Sequence, residues 1–395
     1  MRVGVSGFVP ARLTQARVLA SMTKLELSER LGKSSSSVSR WEKGESAPES
    51  EALEAISFVL GFPVSWFMLP VSEKPSSVIF YRTLASTSSD LRGKAGARMA
   101  WLQDIVKYFS TWLDWPEVNL PQLNVTDHRQ LDSSDIARAA QDCRGRWGLG
   151  EAPIPDLALA AEGAGIICAR IHQGNTKMDG LSQWDELQKL PFVLLSSDKM
   201  NYFRSRFDLA HEIGHLVLHR CIKTFDVKHL KEIEAQANYF ASCLLLPEES
   251  LSIELPRYPS LENLLSLKKR WRVSVAAIIY RADKLGLVGE QETLRLRKSY
   301  SARGWAKGEP FDERAEVEQV RLLSRAVHTL IDARIKTREA IGRDLMLPCN
   351  AIEQLCGLSP GFFEPKVEPG LNPLPTLKVD VGGGSGKIVE FKKRT

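Results

Sequence analysis

A chain of 395 residues, 43% hydrophobic and 26% charged, is long enough for two or three cores and has the composition of an ordinary soluble globular protein. Its formal charge of +5 permits contact with nucleic acid without requiring it. No stretch approaches roughly 18 uninterrupted apolar residues, no signal-like run opens the chain, and the six cysteines include no C-x-x-C pair. Membrane spanning, secretion and a disulfide framework are therefore not expected, and a cytoplasmic protein is.

Residues 10 to 70 read as short helices separated by turns. Arg12 to Ala20 forms the first, and Thr23 is a good N-cap for a second, with Leu25, Leu27 and Leu31 facing inward and Gly32 ending it. A third begins after Ser34, carries Val38 and Trp41 on its buried side and stops at Gly44; a fourth spans roughly Ser50 to Leu60, with Gly61 after it. A short helix, a turn and a helix with a polar outer face make the helix-turn-helix arrangement, whose second helix enters the major groove.

The string Ser-Val-Ser-Arg-Trp-Glu-Lys-Gly, with Pro48 beyond it, and Leu-Gly-Phe-Pro-Val-Ser-Trp-Phe at 60 to 67 resemble the XRE (Cro/repressor-like) DNA-binding family. The resemblance implies that Ser35, Ser36, Ser39 and Arg40 face base edges of double-stranded operator DNA, with Arg40 as the reader of guanine, and that Lys24 and Lys43 sit at phosphates. Lys24 departs from the family, where Gln is common; Lys keeps a phosphate contact but orients the helix less well. The competing reading is a helical module that binds protein alone, and DNA binding brings with it an expected homodimer on paired half-sites.

Residues 71 to 98 are Ser/Thr/Lys-rich, with Ile79, Phe80 and Tyr81 as a short apolar stretch, and read as a linker ending in a packed segment. Trp101 to Trp112 and Ser134 to Trp147 look helical, and Gly165 to Ile171 and Pro191 to Leu195 look like short buried strands. The second strand is expected to flank a cleft, where an edge strand could hold an extended peptide by backbone pairing.

The run Arg-Phe-Asp-Leu-Ala-His-Glu-Ile-Gly-His-Leu-Val-Leu-His carries apolar residues at helical spacing. Four residues make about one turn, so His211 and His215 point the same way about 6 Å apart along the axis and can chelate one ion. Glu212, beside the first ligand, can reach a water on that ion as general base, the H-E-x-x-H arrangement of zinc hydrolases. Nineteen positions after His215, Glu234 opens another helical run and can complete a His/His/Glu set that leaves Zn2+ an open position; Asn238, one turn on, can hydrogen-bond a ligand His. Tyr202, Arg206, His219 and Tyr239 stand open as donors to a developing oxyanion, Gly214 is read as permitting close packing, and Cys221 and Cys243 as small core residues.

This run and Glu-Ala-Gln-Ala-Asn-Tyr-Phe-Ala-Ser-Cys-Leu-Leu-Leu-Pro resemble the ImmA/IrrE family of metallopeptidases, which implies a thermolysin-like zinc site. The resemblance continues through residues 267 to 282 and in Gly304, Trp305, Glu309 and Pro310.

Beyond Pro247, Leu261 to Trp271 and Val275 to Leu285 read as helices with Ser274 capping the second, and Glu313 to Ile341 as one long amphipathic stretch. In the unassigned end from Met346 to Thr395, Pro365, Pro369, Pro373 and Pro375 argue against helix, Gly382 to Gly384 suggest a turn, and Lys392, Lys393 and Arg394 read as solvated. The expected fold is mainly α with a small sheet (α+β): a helix-turn-helix domain over 1–70, a linker over 71–98, a metallopeptidase domain over 99–290 and an extension over 291–395. Together the two resemblances imply a DNA-bound regulator that is also a zinc endopeptidase acting on a repressor- or antitoxin-like protein. The alternatives are a transcription factor that cleaves nothing and uses the metal fold as a sensor, and an antitoxin that neutralises a toxin partner.

Overall fold

Local signals place the first four helices. α1 (Pro10–Leu19) opens on proline, α2 (Lys24–Arg30) on a complete Thr23/Glu26 capping box and α3 (Ser35–Lys43) on Ser34. α3 and α4 (Ser50–Leu60) end on Gly44 and Gly61, both left-handed at φ 75° and 74°. The computed structural model describes residues 4–71, 80–81, 89–172, 178–198, 201–222, 229–314 and 317–364. Leu13, Leu27, Val38, Leu53 and Ile56 form the buried centre of this helical unit. Leu25, expected to face inward, is 57% exposed. Positions two apart on a helix lie about 200° apart, so turning Leu27 inward turns Leu25 outward.

The helical unit continues onto α5 (Ser89–Phe109), which takes up the last ten residues of the stretch read as a linker. Phe62 stacks on Trp66 with ring centroids 4.2 Å apart and packs against Trp101 of α5 at 5.7 Å. The buried Arg12 guanidinium lies over the Trp66 ring and donates to Asp104 of α5 at 3.1 Å and to the Pro70 carbonyl at 2.8 Å. Residues 72–79 and 82–88 of that stretch, Ile79 included, lie outside the described residues.

The remaining helices are α6 (Ser133–Arg146), α7 (Leu157–Gly163), α8 (Tyr202–Leu218), α9 (Leu230–Leu245), α10 (Glu248–Glu254), α11 (Leu261–Trp271), α12 (Val275–Lys284), α13 (Glu290–Ala302), α14 (Leu322–Asp332), α15 (Arg338–Leu345) and α16 (Cys349–Cys356). Strands β1 (Phe80–Tyr81), β2 (Ile167–Ile171), β3 (Gly180–Asp185) and β4 (Leu190–Ser196) make one sheet in the order β1-β3-β4-β2, with β2 parallel to β4 and the other pairs antiparallel. The sheet is buried on both sides. Ile167, Ala169, Phe192 and Leu194 join one core with α5 and the C-terminal helices, while Cys168, Val193 and Leu195 join another with α6 to α9. Strand alternation assigns neighbouring residues to opposite layers.

Two expectations change here. The strand expected to flank the cleft, β4, packs against α8 but is interior to the sheet, and β3, not foreseen, packs against α8 next to it. The stretch from Glu313 to Ile341 is not one helix: a 3-10 turn (Asp312–Arg314) and irregular residues 317–321 precede α14, and α15 starts afresh on the Thr337 cap. Buried carboxylates cause the break. Glu318 accepts the N–H groups of Leu157 and Ala158 at 3.1 Å and pairs with the buried Arg206, and Glu162 accepts those of Arg321 and Leu322 at 2.9 and 3.0 Å, starting α14. Within 346–395, α16 supplies a helix before the proline-rich part, and Pro365 to Arg394 lie outside the described residues.

The chain past 290 is tied back into the layer holding α8. Lys268, fully buried, donates to Glu309 at 2.8 Å and to Asp312, and Glu309 also accepts the N–H groups of Val275 and Ala276 at the start of α12. Among the described residues no helix is long and apolar enough to cross a membrane.

Candidate metal centre

α8 and α9 cross closely because residue 214 has no side chain. A Cβ on Gly214 would meet the Phe240 ring at 3.1 Å and the Ala237 backbone at 3.3 Å. That approach brings one turn of α8, His211 to His215, opposite the first turns of α9. His211 Nε2 and His215 Nε2 lie 3.0 Å apart, and Glu234 places Oε2 3.4 Å from the first and Oε1 3.5 Å from the second.

Hydrogen bonds on the far side of each ring decide what these atoms offer. His211 Nδ1 faces Asn238 Oδ1 at 3.0 Å, an acceptor, so the ring proton sits on Nδ1 and Nε2 keeps its lone pair. For His215 the chain is longer. Gln236 donates its amide N–H to the His128 carbonyl at 2.8 Å, which turns its oxygen toward His219 Nε2 at 3.1 Å. His219 therefore donates from Nε2 and accepts at Nδ1, where His215 Nδ1 donates across 2.9 Å. His215 is left with a bare Nε2. Burial, and then His215 itself, hold the His219 pKa well below that of an ordinary histidine, which keeps the relay neutral.

Two imidazole nitrogens, each with an acceptor behind the far side of its ring, and a carboxylate thus converge on one point, a donor set suited to a divalent cation. Tetrahedral zinc with ligand bonds of about 2.0–2.2 Å sets neighbouring donor atoms roughly 3.3 Å apart, close to the spacings here, so the residues fit that ion.

Glu212 is fully buried beside this set. Its Oε2 accepts the Ser182 hydroxyl of β3 at 2.7 Å, and a Cβ on Gly180 would stand 2.9 Å from its Oε1. β3 thus both holds the carboxylate and makes room for it. His211 and His215 are also fully buried, whereas the Glu234 side chain is 22% exposed. A cavity of about 410 Å³ lies beside the ligand set, lined by Asp179, Phe207, Asp208, Asn238 and Tyr280 among others.

The four open oxyanion donors are otherwise engaged. Arg206 pairs with Glu318 and donates to the Ile154 carbonyl at 2.8 Å, with the Tyr202 hydroxyl 3.4 Å from its other nitrogen. His219 stands behind His215, and Tyr239 interacts with Arg281 and Cys243. Cys243 is buried and Cys221 half-buried, and neither joins a metal-binding group among the described residues.

Sequence reasoning missed Ser182, Gly180 and Gln236. A repeat of the four-residue histidine spacing, from His215 to His219, was the one available signal of the relay.

On α3, Ser35, Ser36, Arg40 and Lys43 are exposed and Ser39 is half-buried. Positions 35, 36, 39, 40 and 43 recur on one face, opposite the buried Val38 and Trp41. Lys24 stands apart on α2, its ammonium 3.2 Å from Glu42, which Arg17 also holds from α1.

Residues 161–283 match the family model described as the IrrE N-terminal-like domain, and residues 13–67 match a helix-turn-helix model. Over 83 residues the chain is 36% identical to the metallopeptidase ImmA of Bacillus subtilis (strain 168), a match covering 20% of this chain and 47% of that relative. The chain thus spans about half the length of the curated relative it matches. Residues 13–67 are thus similar to helix-turn-helix domains of XRE type and residues 161–283 to the peptidase domain of the IrrE/ImmA family, and α8, α9 and β3 lie within the second match.

Proposed function

We propose that this protein is a DNA-binding regulator with zinc-dependent endopeptidase activity, directed at a repressor- or antitoxin-like partner. The observation that carries the peptidase half is the convergence of His211 Nε2, His215 Nε2 and the Glu234 carboxylate within 3.5 Å of one another, with Asn238 and His219 behind the two rings. His211, His215 and Glu234 would hold the ion. Bound there, zinc supplies Lewis acidity and brings the pKa of a coordinated water toward neutrality.

Glu212 takes the proton at a carboxylate oxygen and passes it to the leaving amine; Ser182, donating to Oε2, orients that carboxylate. Asn238 holds His211 in its ligand tautomer. The DNA half rests on the exposed polar face of α3, with Ser35, Ser36, Ser39 and Arg40 at base edges and Lys43 at phosphate. Lys24 reaches phosphate only by sharing its charge with Glu42. Binding at paired half-sites calls for a two-fold dimer of this chain.

The test is cleavage of neighbouring-gene products by purified full-length protein, wild type and Glu212→Gln, with metal content measured on both. Cleavage by the wild type alone, at equal zinc content, supports the reading; equal cleavage by both removes Glu212 as the base. Complete burial of His211, Glu212 and His215 favours a second reading, a regulator that uses the metal fold as a sensor and cleaves nothing. Specific, metal-dependent DNA binding without cleavage of any neighbouring product would select it.

A further inference from the structure

A separate convergence of metal-binding atoms stands where the 3-10 turn His128–Gln130 meets the start of α9. We propose that His128, His229 and Glu232 form a second divalent-cation site, selective for a borderline ion such as zinc or nickel. The three donor atoms lie within 4.8 Å of one another. His128 Nε2 is 2.8 Å from Glu232 Oε2, and His229 Nδ1 is 3.5 Å from the same oxygen. Two imidazoles and one carboxylate suit zinc and nickel better than the oxygen-seeking magnesium and calcium.

Two features separate this group from an ordinary surface ion pair. His128 is buried, and its Nδ1 lies 3.5 Å from Asp127 Oδ1, a carboxylate behind the ring as ligand histidines commonly have. His229 Nδ1 is screened from solvent, and it lies a loose 3.5 Å from Glu232 Oε2, the oxygen that His128 Nε2 already holds at 2.8 Å. A screened ring nitrogen so loosely paired is poorly satisfied, and a shared cation would satisfy it. The side chains of Glu232 and His229 are 59% and 37% exposed, so the remaining coordination positions would be taken by water.

The position gives the site a purpose in this fold. The carbonyl of His128 accepts the Gln236 amide, the outer link of the relay that fixes the His215 tautomer. A cation joining His128 to the first turn of α9 would clamp that link in place. The site does not rest on the peptidase reading, since it requires no cleavage and no ion at His211 and His215.

The experiment is zinc titration of full-length, metal-stripped protein by calorimetry, repeated with cobalt and read by its visible absorption. Wild type is expected to bind two equivalents, one removed by His229→Ala and by Glu232→Gln, the other by His211→Ala. His229 and Glu232 are solvent-accessible, so both variants should melt like the wild type when metal-free. If no equivalent is sensitive to both His229→Ala and Glu232→Gln, the site does not exist and the group is a hydrogen-bonded His128–Glu232 pair. Failure of the first centre would appear separately, as the loss of the equivalent sensitive to His211→Ala.

Discussion

The polar face of α3 and the α8–α9 metal centre solve opposite physical problems. Ser35, Ser36 and Arg40 lie within one short helix and stay in water, so their groups are free to exchange solvent for a partner. His211 and His215 are fully buried, and their chemistry is set by groups far along the chain: Asn238, Gln236 and, through Gln236, the carbonyl of His128. A surface reader can therefore be perturbed one side chain at a time, whereas the buried centre should respond to changes two or three hydrogen bonds away. Lys24 is the exception on the surface, since Glu42 already neutralises part of its charge.

The largest contrast should come from Glu212→Gln, which is expected to retain zinc while lowering cleavage by about 10²–10⁴-fold, read from initial rates on the identified substrate. DNA affinity should not move with it; a parallel loss would mean that the two regions are not separable. Metal removal comes next. Chelation removes the ion that would join the three donors His211, His215 and Glu234, so the melting temperature should fall and zinc should restore it, with about 2.7 kcal/mol of stabilisation at a hundredfold excess over Kd.

His219→Ala tests whether the relay matters at a distance. Zinc affinity is expected to fall by about 10–100-fold in competition with a chromogenic chelator, with Gln236→Ala moving it in the same direction. Unchanged affinity in both would reduce the relay to core packing. On the surface, Arg40→Ala should cost about 1–3 kcal/mol of operator binding and relax the preference at a single base pair. Lys24→Ala should have the smallest effect, a uniform weakening whose salt dependence falls by less than the roughly one-unit slope of a free phosphate contact, since Glu42 already competes for the charge.

Much of the helical framework could be read directly. Thr23, Ser34, Gly44, Gly61 and Ser274 act as caps and stops, because capping is decided by atoms within three or four residues. The spacing of His211 and His215 was legible for the same reason, and Glu234 and Asn238 through the one-turn interval between them. β3 was not. Gly-Leu-Ser-Gln-Trp-Asp does not alternate apolar with polar, since its polar residues are buried against remote partners: Ser182 meets Glu212 and Gln183 meets Gln103. The break between Glu313 and Ile341 escaped notice likewise, because Glu162 and Glu318 act on backbone more than a hundred residues away.

The sequence by itself determined which residues could bind a cation and which helix could present a polar face, because helical periodicity and capping are short-range and set by residue type. Only the tertiary structure decided which group stands behind each histidine ring, which strand holds Glu212 and where a second cluster of donor atoms comes together. Those outcomes depend on hydrogen bonds between elements that share no local pattern, and they exist only once the chain has packed.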